Sequence, residues 1–226
     1  SAIRIEGIKL RSAAAYTVWC VGCDGVCLRD ITVRNSLDGP NTDVFDIDCS
    51  SNVRIERCDL CAGDDCIAIK SDPYRTGTKR ITENIVVSDC QLSSVTCAIR
   101  IGYDGDARIR NCLIENIRIA NSGHGIDILS IVPKVRSGYQ LKVERGTPMD
   151  NLVFDRIEMI NVRQAIFVWA GHQQGKYSAY IRNLVFSNIR AEALASGFIG
   201  CMEKDYALSN IIFENVELRI RDSGHR

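Results

Sequence analysis

Five carboxylates in two short segments are the residues best suited to chemistry. Asn41-Thr42-Asp43-Val44-Phe45-Asp46-Ile47-Asp48 carries three, and Gly63-Asp64-Asp65-Cys66-Ile67-Ala68-Ile69-Lys70 carries two and ends on a cation. If Asp43, Asp64 and Asp65 meet, they cannot all ionise easily, so at least one pKa must rise. A protonated carboxyl beside an ionised one is what glycosidic bond cleavage requires: one protonates the leaving oxygen and the other activates water. Two plainer readings compete. One is a calcium site, which needs about six oxygen ligands and would draw on Asp46 and Asp48. The other is a solvated acidic rim.

What must bring these segments together is an internal repeat. Asparagine followed by an apolar-x-apolar run recurs at Asn52, Asn84, Asn111, Asn151, Asn183 and Asn210, with degenerate copies starting at Ala2 and Gly25. The eight starts are separated by 23, 27, 32, 27, 40, 32 and 27 residues. The units alternate with period 2 and show no amphipathic helix, so each reads as two or three short strands with small-residue turns. That is one coil of a parallel β-helix, an all-β solenoid of about eight coils formed by residues 1–226 as a single domain. The first coil begins without a capping helix, which leaves an open end expected to be covered in an intact protein. The six asparagines are expected to form a ladder, each amide bonding the next. The longer spacings are filled by Ser71–Glu83 and Ile131–Met149, which should project as loops.

Equivalent positions on successive coils stack about 4.8 Å apart. Aligning 41–48, 63–70, 95–102 and 122–129 gives one column of Asp43, Asp65, Cys97 and His124. A second reads Thr42, Asp64, Thr96, Gly123, and a third reads Asp46, Ala68, Arg100, Asp127. The inward residues Phe45, Ile67, Ile99 and Ile126 fall in register with them.

The composition agrees with a globular β protein. Ile outnumbers Leu 28 to 13, an excess of a β-branched residue that favours strands. Lys+Arg and Asp+Glu both number 28, which argues against a nucleic-acid or anionic-membrane partner. No run of about 18 apolar residues exists. The eleven cysteines show no zinc spacing; they read as buried, inert, apolar side chains rather than as a disulfide framework.

Asn41-Thr42-Asp43 followed by Gly63-Asp64-Asp65-Cys66-Ile67-Ala68-Ile69-Lys70 resembles the polygalacturonase family of glycoside hydrolases, and the resemblance runs from about Ile3 to Val216. It implies a right-handed parallel β-helix and an inverting hydrolase acting on pectic polysaccharide, with no cofactor or metal and a secreted or periplasmic setting. Asp64 would be the general acid, while Asp43 and Asp65 would hold and activate the water. The insertion after Lys70 resembles exo-acting members, where such loops block one end of the groove.

Two family motifs are displaced. Where Gly-His-Gly is expected stand Thr96-Cys97-Ala98, and where Arg-Ile-Lys is expected stand Asp127-Ile128-Leu129. Gly123-His124-Gly125 comes one coil late and Arg100 one coil early, as if the two had exchanged coils; Lys142 could mimic the basic motif from within the second insertion. The expected substrate contacts are therefore Arg100, His124, Asp46, Asp127, Lys70 and Trp169, with Trp19, His172 and Tyr177 as weaker candidates and His225 as irrelevant. Arg100 could instead pair with Asp127. Two other functions remain open: a non-catalytic carbohydrate-binding or adhesin β-helix, and a polysaccharide lyase, for which Arg100 is the only nearby base.

Overall fold

The computed structural model describes residues 2–77, 80–132, 145–172, 179–201 and 207–221. Three parallel sheets wind around one apolar core as a right-handed β-helix. The first sheet takes Ile3–Glu6, Asp24–Arg29, Ser51–Glu56 and Thr82–Ser88, then 109–115, 149–155, 181–187 and 207–214. Those eight strands mark eight coils. The second sheet begins with Lys9–Arg11, Thr32–Arg34, Asp59–Ala62 and Gln91–Ser94. The third stacks Val18–Val21, Phe45–Asp48, Asp65–Ser71, Cys97–Gly105, 124–132, 164–172 and Phe198–Cys201. Ile109–Val132 and Met149–His172 run through the corners without a break, so each contributes to all three sheets.

The core follows from the alternation. Leu28, Ile55, Val87, Ile114, Phe154, Phe186 and Phe213 share one inward column of the first sheet. Its phenyl rings stack 5.0 and 4.8 Å apart and nearly parallel, the spacing that coil stacking imposes. In the third sheet Phe45, Ile67, Ile99, Ile126 and Ile166 stack in the same way. All eleven cysteines are free thiols, seven of them buried. Cys20, Cys58, Cys66, Cys90 and Cys112 join the core as small apolar side chains, whereas Cys23, Cys27 and Cys61 are only half-buried and Cys201 is exposed, against the expectation for all eleven.

The repeated asparagines occupy a corner that demands left-handed backbone. Their φ values run from 51 to 58° at Asn52, Asn84, Asn111, Asn151, Asn183 and Asn210, a region that a short polar side chain tolerates better than most. Asn84 donates to Asn52 at 3.1 Å, Asn111 to Asn84 at 3.2 Å, Asn151 to Asn111 at 2.9 Å and Asn210 to Asn183 at 2.7 Å. The expected ladder is interrupted at one rung. Asn183 donates to Asp150 at 2.7 Å rather than to Asn151, because a carboxylate is the stronger acceptor and Arg182 holds Asp150 beside it at 2.7 Å.

Asn111 both gives and receives a ladder bond, so Asn111→Ala should lower unfolding free energy by about 2 kcal/mol through the lost bonds and the unfavourable φ. Asn111→Gly should recover part of this by relieving the backbone. Urea unfolding reads both, and an alanine variant as stable as wild type would show that the ladder contributes nothing.

Candidate active site

The acids converge because two coils meet at a corner that permits no side chain. A Cβ on Gly63 would lie 2.4 Å from the Ser36 carbonyl oxygen and 2.5 Å from Thr42 Oγ1, so glycine is required where the chain turns into Asp64-Asp65. Thr42 Oγ1 is itself fixed by donating to the Gly39 carbonyl at 2.8 Å, with the Ser36 carbonyl 3.1 Å away. The Val44 amide donates to the Asp65 carbonyl at 2.9 Å, which sets Asp43 directly over Asp65 on the neighbouring coil. The Ser94 hydroxyl donates to the Asp64 carbonyl from the next coil. Asp43 and Asp65 are 3% and 4% exposed. Asp64 is half-buried and reaches the surface.

Two cations hold this cluster together. Lys70 Nζ lies 2.7 Å from Asp46 Oδ1, 3.5 Å from Asp104 Oδ2 and 3.6 Å from Asp43 Oδ2. It also sits 4.8 Å over the ring of Tyr16. Arg100 Nε donates to Asp65 at 2.7 Å and its Nη1 to Asp127 at 3.1 Å, while its guanidinium lies over Tyr103. Asp127 in turn bonds His124 Nδ1 at 2.7 Å. The result is a relay of Asp65, Arg100, Asp127 and His124 that crosses three coils.

The aligned columns appear as real registers. Asp65 pairs with Cys97, and Cys97 with His124; Asp46, Ala68, Arg100 and Asp127 follow one another in the same way. Burial separates the candidate substrate contacts into two groups. Asp46, Lys70 and Asp127, expected to meet substrate, lie beneath the surface at 0%, 5% and 2% exposure. Coil stacking brings opposite charges into contact there, so they face one another instead of solvent. Arg100 is likewise engaged by two carboxylates, Asp127, its alternative partner in the aligned column, and Asp65 on the preceding coil. His124 is half-exposed, as is Trp169, which points outward between inward Ile166 and Val168. Trp19 is exposed and registers with Asp46 one coil before it. Lys142, Tyr177 and His225 lie outside the described residues, as does the side chain of His172.

Three members were not foreseen. Tyr16 was findable, since counting back from the Val18–Phe45 register places it over Asp43. Asp104 was not, because the register shifts between Ile101 and Gly105 and no alternation survives there. Tyr103 belongs to the same irregular stretch.

The electrostatics follow from this packing. Burial, then the neighbouring Asp46, pushes the Asp43 carboxyl up to about 8, with Lys70 opposing. Burial also raises Asp46, again against Lys70. Asp65 is raised to about 6 by burial, and Arg100 limits the rise. Asp48 is raised to about 6 by burial, although it accepts the Asp72 amide. Burial alone would depress the Lys70 ammonium, but Asp46, Asp104 and Asp43 reverse this and hold it above its ordinary value. One oxygen each of Asp43 and Asp65 has no hydrogen-bond partner among the described residues.

Residues 1–224 match the family model of glycosyl hydrolases family 28. A polygalacturonase of Juniperus ashei is 25% identical over 96% of this chain and 41% of its own length. A probable polygalacturonase of Vitis vinifera is 30% identical over 61% of this chain and 28% of its own. The chain thus spans less than half the length of these relatives. In fold, the polygalacturonase of Erwinia carotovora superposes over 96% of this chain and 54% of its own, with a TM-score of 0.80 and 17% identity.

The raised carboxyls make stability depend on pH. Their folded pKa values exceed the unfolded ones, so the folded state binds more protons and loses stability as pH rises from about 4 through 8. Asp48→Asn keeps an acceptor for the Asp72 amide but removes the charge. At pH 8 it should stabilise the protein by up to about 3 kcal/mol, and the gain should vanish near pH 4. Unfolding curves at the two pH values test this; a pH-independent difference would mean that burial does not oppose ionisation at Asp48.

Proposed function

Because the chain belongs to glycosyl hydrolases family 28, we propose that it hydrolyses a pectic poly- or oligosaccharide by inversion at the Asp43–Asp64–Asp65 cluster. The observation that carries this reading is one partly exposed aspartate standing beside two buried ones on adjacent coils. Asp64, open to the groove, protonates the leaving glycosidic oxygen. Asp43 and Asp65 offer their unpartnered oxygens to a water and take its proton as it attacks the opposite face of the sugar. For that, one of them must be ionised. Asp65 is the better suited, since Arg100 favours its charged form.

The buried charges prepare this chemistry. Lys70 lets Asp46 and Asp43 stay packed together, and Asp127 holds both Arg100 and His124 in place. Asp46, Lys70 and Asp127 are accordingly positioning residues. The His124 imidazole, anchored through Nδ1, turns its other edge toward the groove as a substrate contact. The finer reading is exo action. It is supported by the insertion that follows Lys70, pinned beside the cluster where the Asp72 amide meets Asp48 and Tyr74 meets Asp106.

Asp64→Asn should lower kcat by about 10² or more through loss of the general acid. The side chain reaches solvent, so folding and much of the affinity for oligogalacturonide should persist. Turnover and calorimetric binding on the same preparation test the assignment; a variant with half of wild-type kcat would remove Asp64 from the role.

A further inference from the structure

Beyond His124 the outward column of the third sheet changes from charged to aromatic. Asp46, Ala68, Arg100, Asp127, Phe167 and Phe198 lie in one continuous register, with Trp169 beside them paired to Gly200. We propose that Phe167, Trp169 and Phe198 form a stacking platform that holds pyranose units of the polysaccharide three and four coils away from the bond that is cut. The proposal rests on the hydrolase reading above and extends it to a remote subsite.

The rings form one contiguous row, in which Phe167 and Phe198 overlap and Trp169 is tilted by 43° to Phe198. Phe167 and Phe198 stack with centroids 5.3 Å apart, and Trp169 lies 5.7 Å from Phe198. His124 adjoins Phe167 at 6.1 Å, so the aromatic row is continuous with the charged relay that reaches Asp65. Phe198 is 43% exposed, and Phe167 and Trp169 are half-buried. Beneath the rings the sheet carries glycine. A Cβ on Gly171 would lie 2.9 Å from Trp169 Nε1, and one on Gly200 would lie 3.0 Å from the Phe198 ring and 3.2 Å from that of Trp169. Any other residue at these two positions would lift the rings off the sheet. The glycines let the indole lie over the backbone beside a neighbouring phenyl ring.

The ligand class follows from the surface and from its alignment. Aromatic faces attract the slightly positive C–H edges of a sugar ring. The two cations of this column and its neighbour, Lys70 and Arg100, are already saturated by carboxylates. Recognition on the platform therefore runs through apolar contact with the rings and tolerates esterified uronates as well as free ones. Coils rise by about 4.8 Å each, close to the length that one pyranose adds to an extended chain. A polysaccharide laid along the helix axis over Asp64 thus places its third and fourth units on Phe167 and Phe198.

The test compares oligogalacturonides too short to reach the platform with ones that span it. The ratio of kcat/KM for an octamer over a trimer should fall about tenfold in Trp169→Ala and in Phe198→Ala, and Trp169→Phe should restore most of it. The loss should be the same for methyl-esterified octamers and should barely change with salt, as expected for uncharged contacts. Calorimetry with octamer on the Asp64→Asn background reads the same subsite without turnover, so a failed hydrolase assignment and a failed platform give different results. An unchanged ratio and unchanged octamer affinity would overturn the proposal. So would self-association in sedimentation that Trp169→Ala abolishes while octamer affinity stays the same, since the face would then belong to a second copy of the chain.

Discussion

Stacking coils of a β-helix places equivalent side chains about 4.8 Å apart, and a cluster of carboxylates at that spacing survives burial only with cations set among its members. Lys70 is the central one. Its ammonium touches Asp46 and lies within ion-pair distance of Asp43 and Asp104, drawing three coils together. Removing one partner from such a buried group is costly, on the order of 3–5 kcal/mol, because the remaining charges are left without compensation. The geometry of the acidic cluster and the stability of the third sheet therefore share one interaction. Arg100 does for Asp65 and Asp127 what Lys70 does for Asp43 and Asp46.

This arrangement accounts for the displaced basic residues. A cation facing outward from this column could meet substrate only if no carboxylate stood on the adjoining coils. Arg100 has Asp65 on one side and Asp127 on the other, so its charge orients the acid site. Along the third sheet the half-buried Asp64 and His124 are flanked by aromatic side chains on both sides: Trp19 before the acids, and Phe167, Trp169 and Phe198 beyond them. Under the proposed function, such a row would meet a sugar chain through aromatic side chains along its length and leave the charges to the bond being cut.

Much of this was legible because the solenoid translates sequence period into spatial adjacency. The Asn starts and the alternation around Phe45, Ile67, Ile99 and Ile126 were enough to set every register among Asp43, Asp65, Cys97 and His124. Direction and depth were harder to read. That Asp46 and Lys70 would neutralise each other below the surface depends on side-chain reach and on Asp104, which an irregular strand end delivers from outside the repeat. The broken rung at Asn183 has a similar cause, since Asp150 competes as an acceptor one residue away from the repeat position. Phe198 escaped notice because its strand, Phe198–Cys201, is short and carries no asparagine marker.

The central claim is that the Asp43–Asp64–Asp65 cluster cleaves a pectic glycosidic bond by a single displacement with water. Proton NMR of the first product formed from a galacturonan tests this most directly. The account predicts a new reducing end whose anomeric configuration is inverted relative to the bond cut. A product of retained configuration, or an unsaturated sugar in place of a hydrated one, would contradict it.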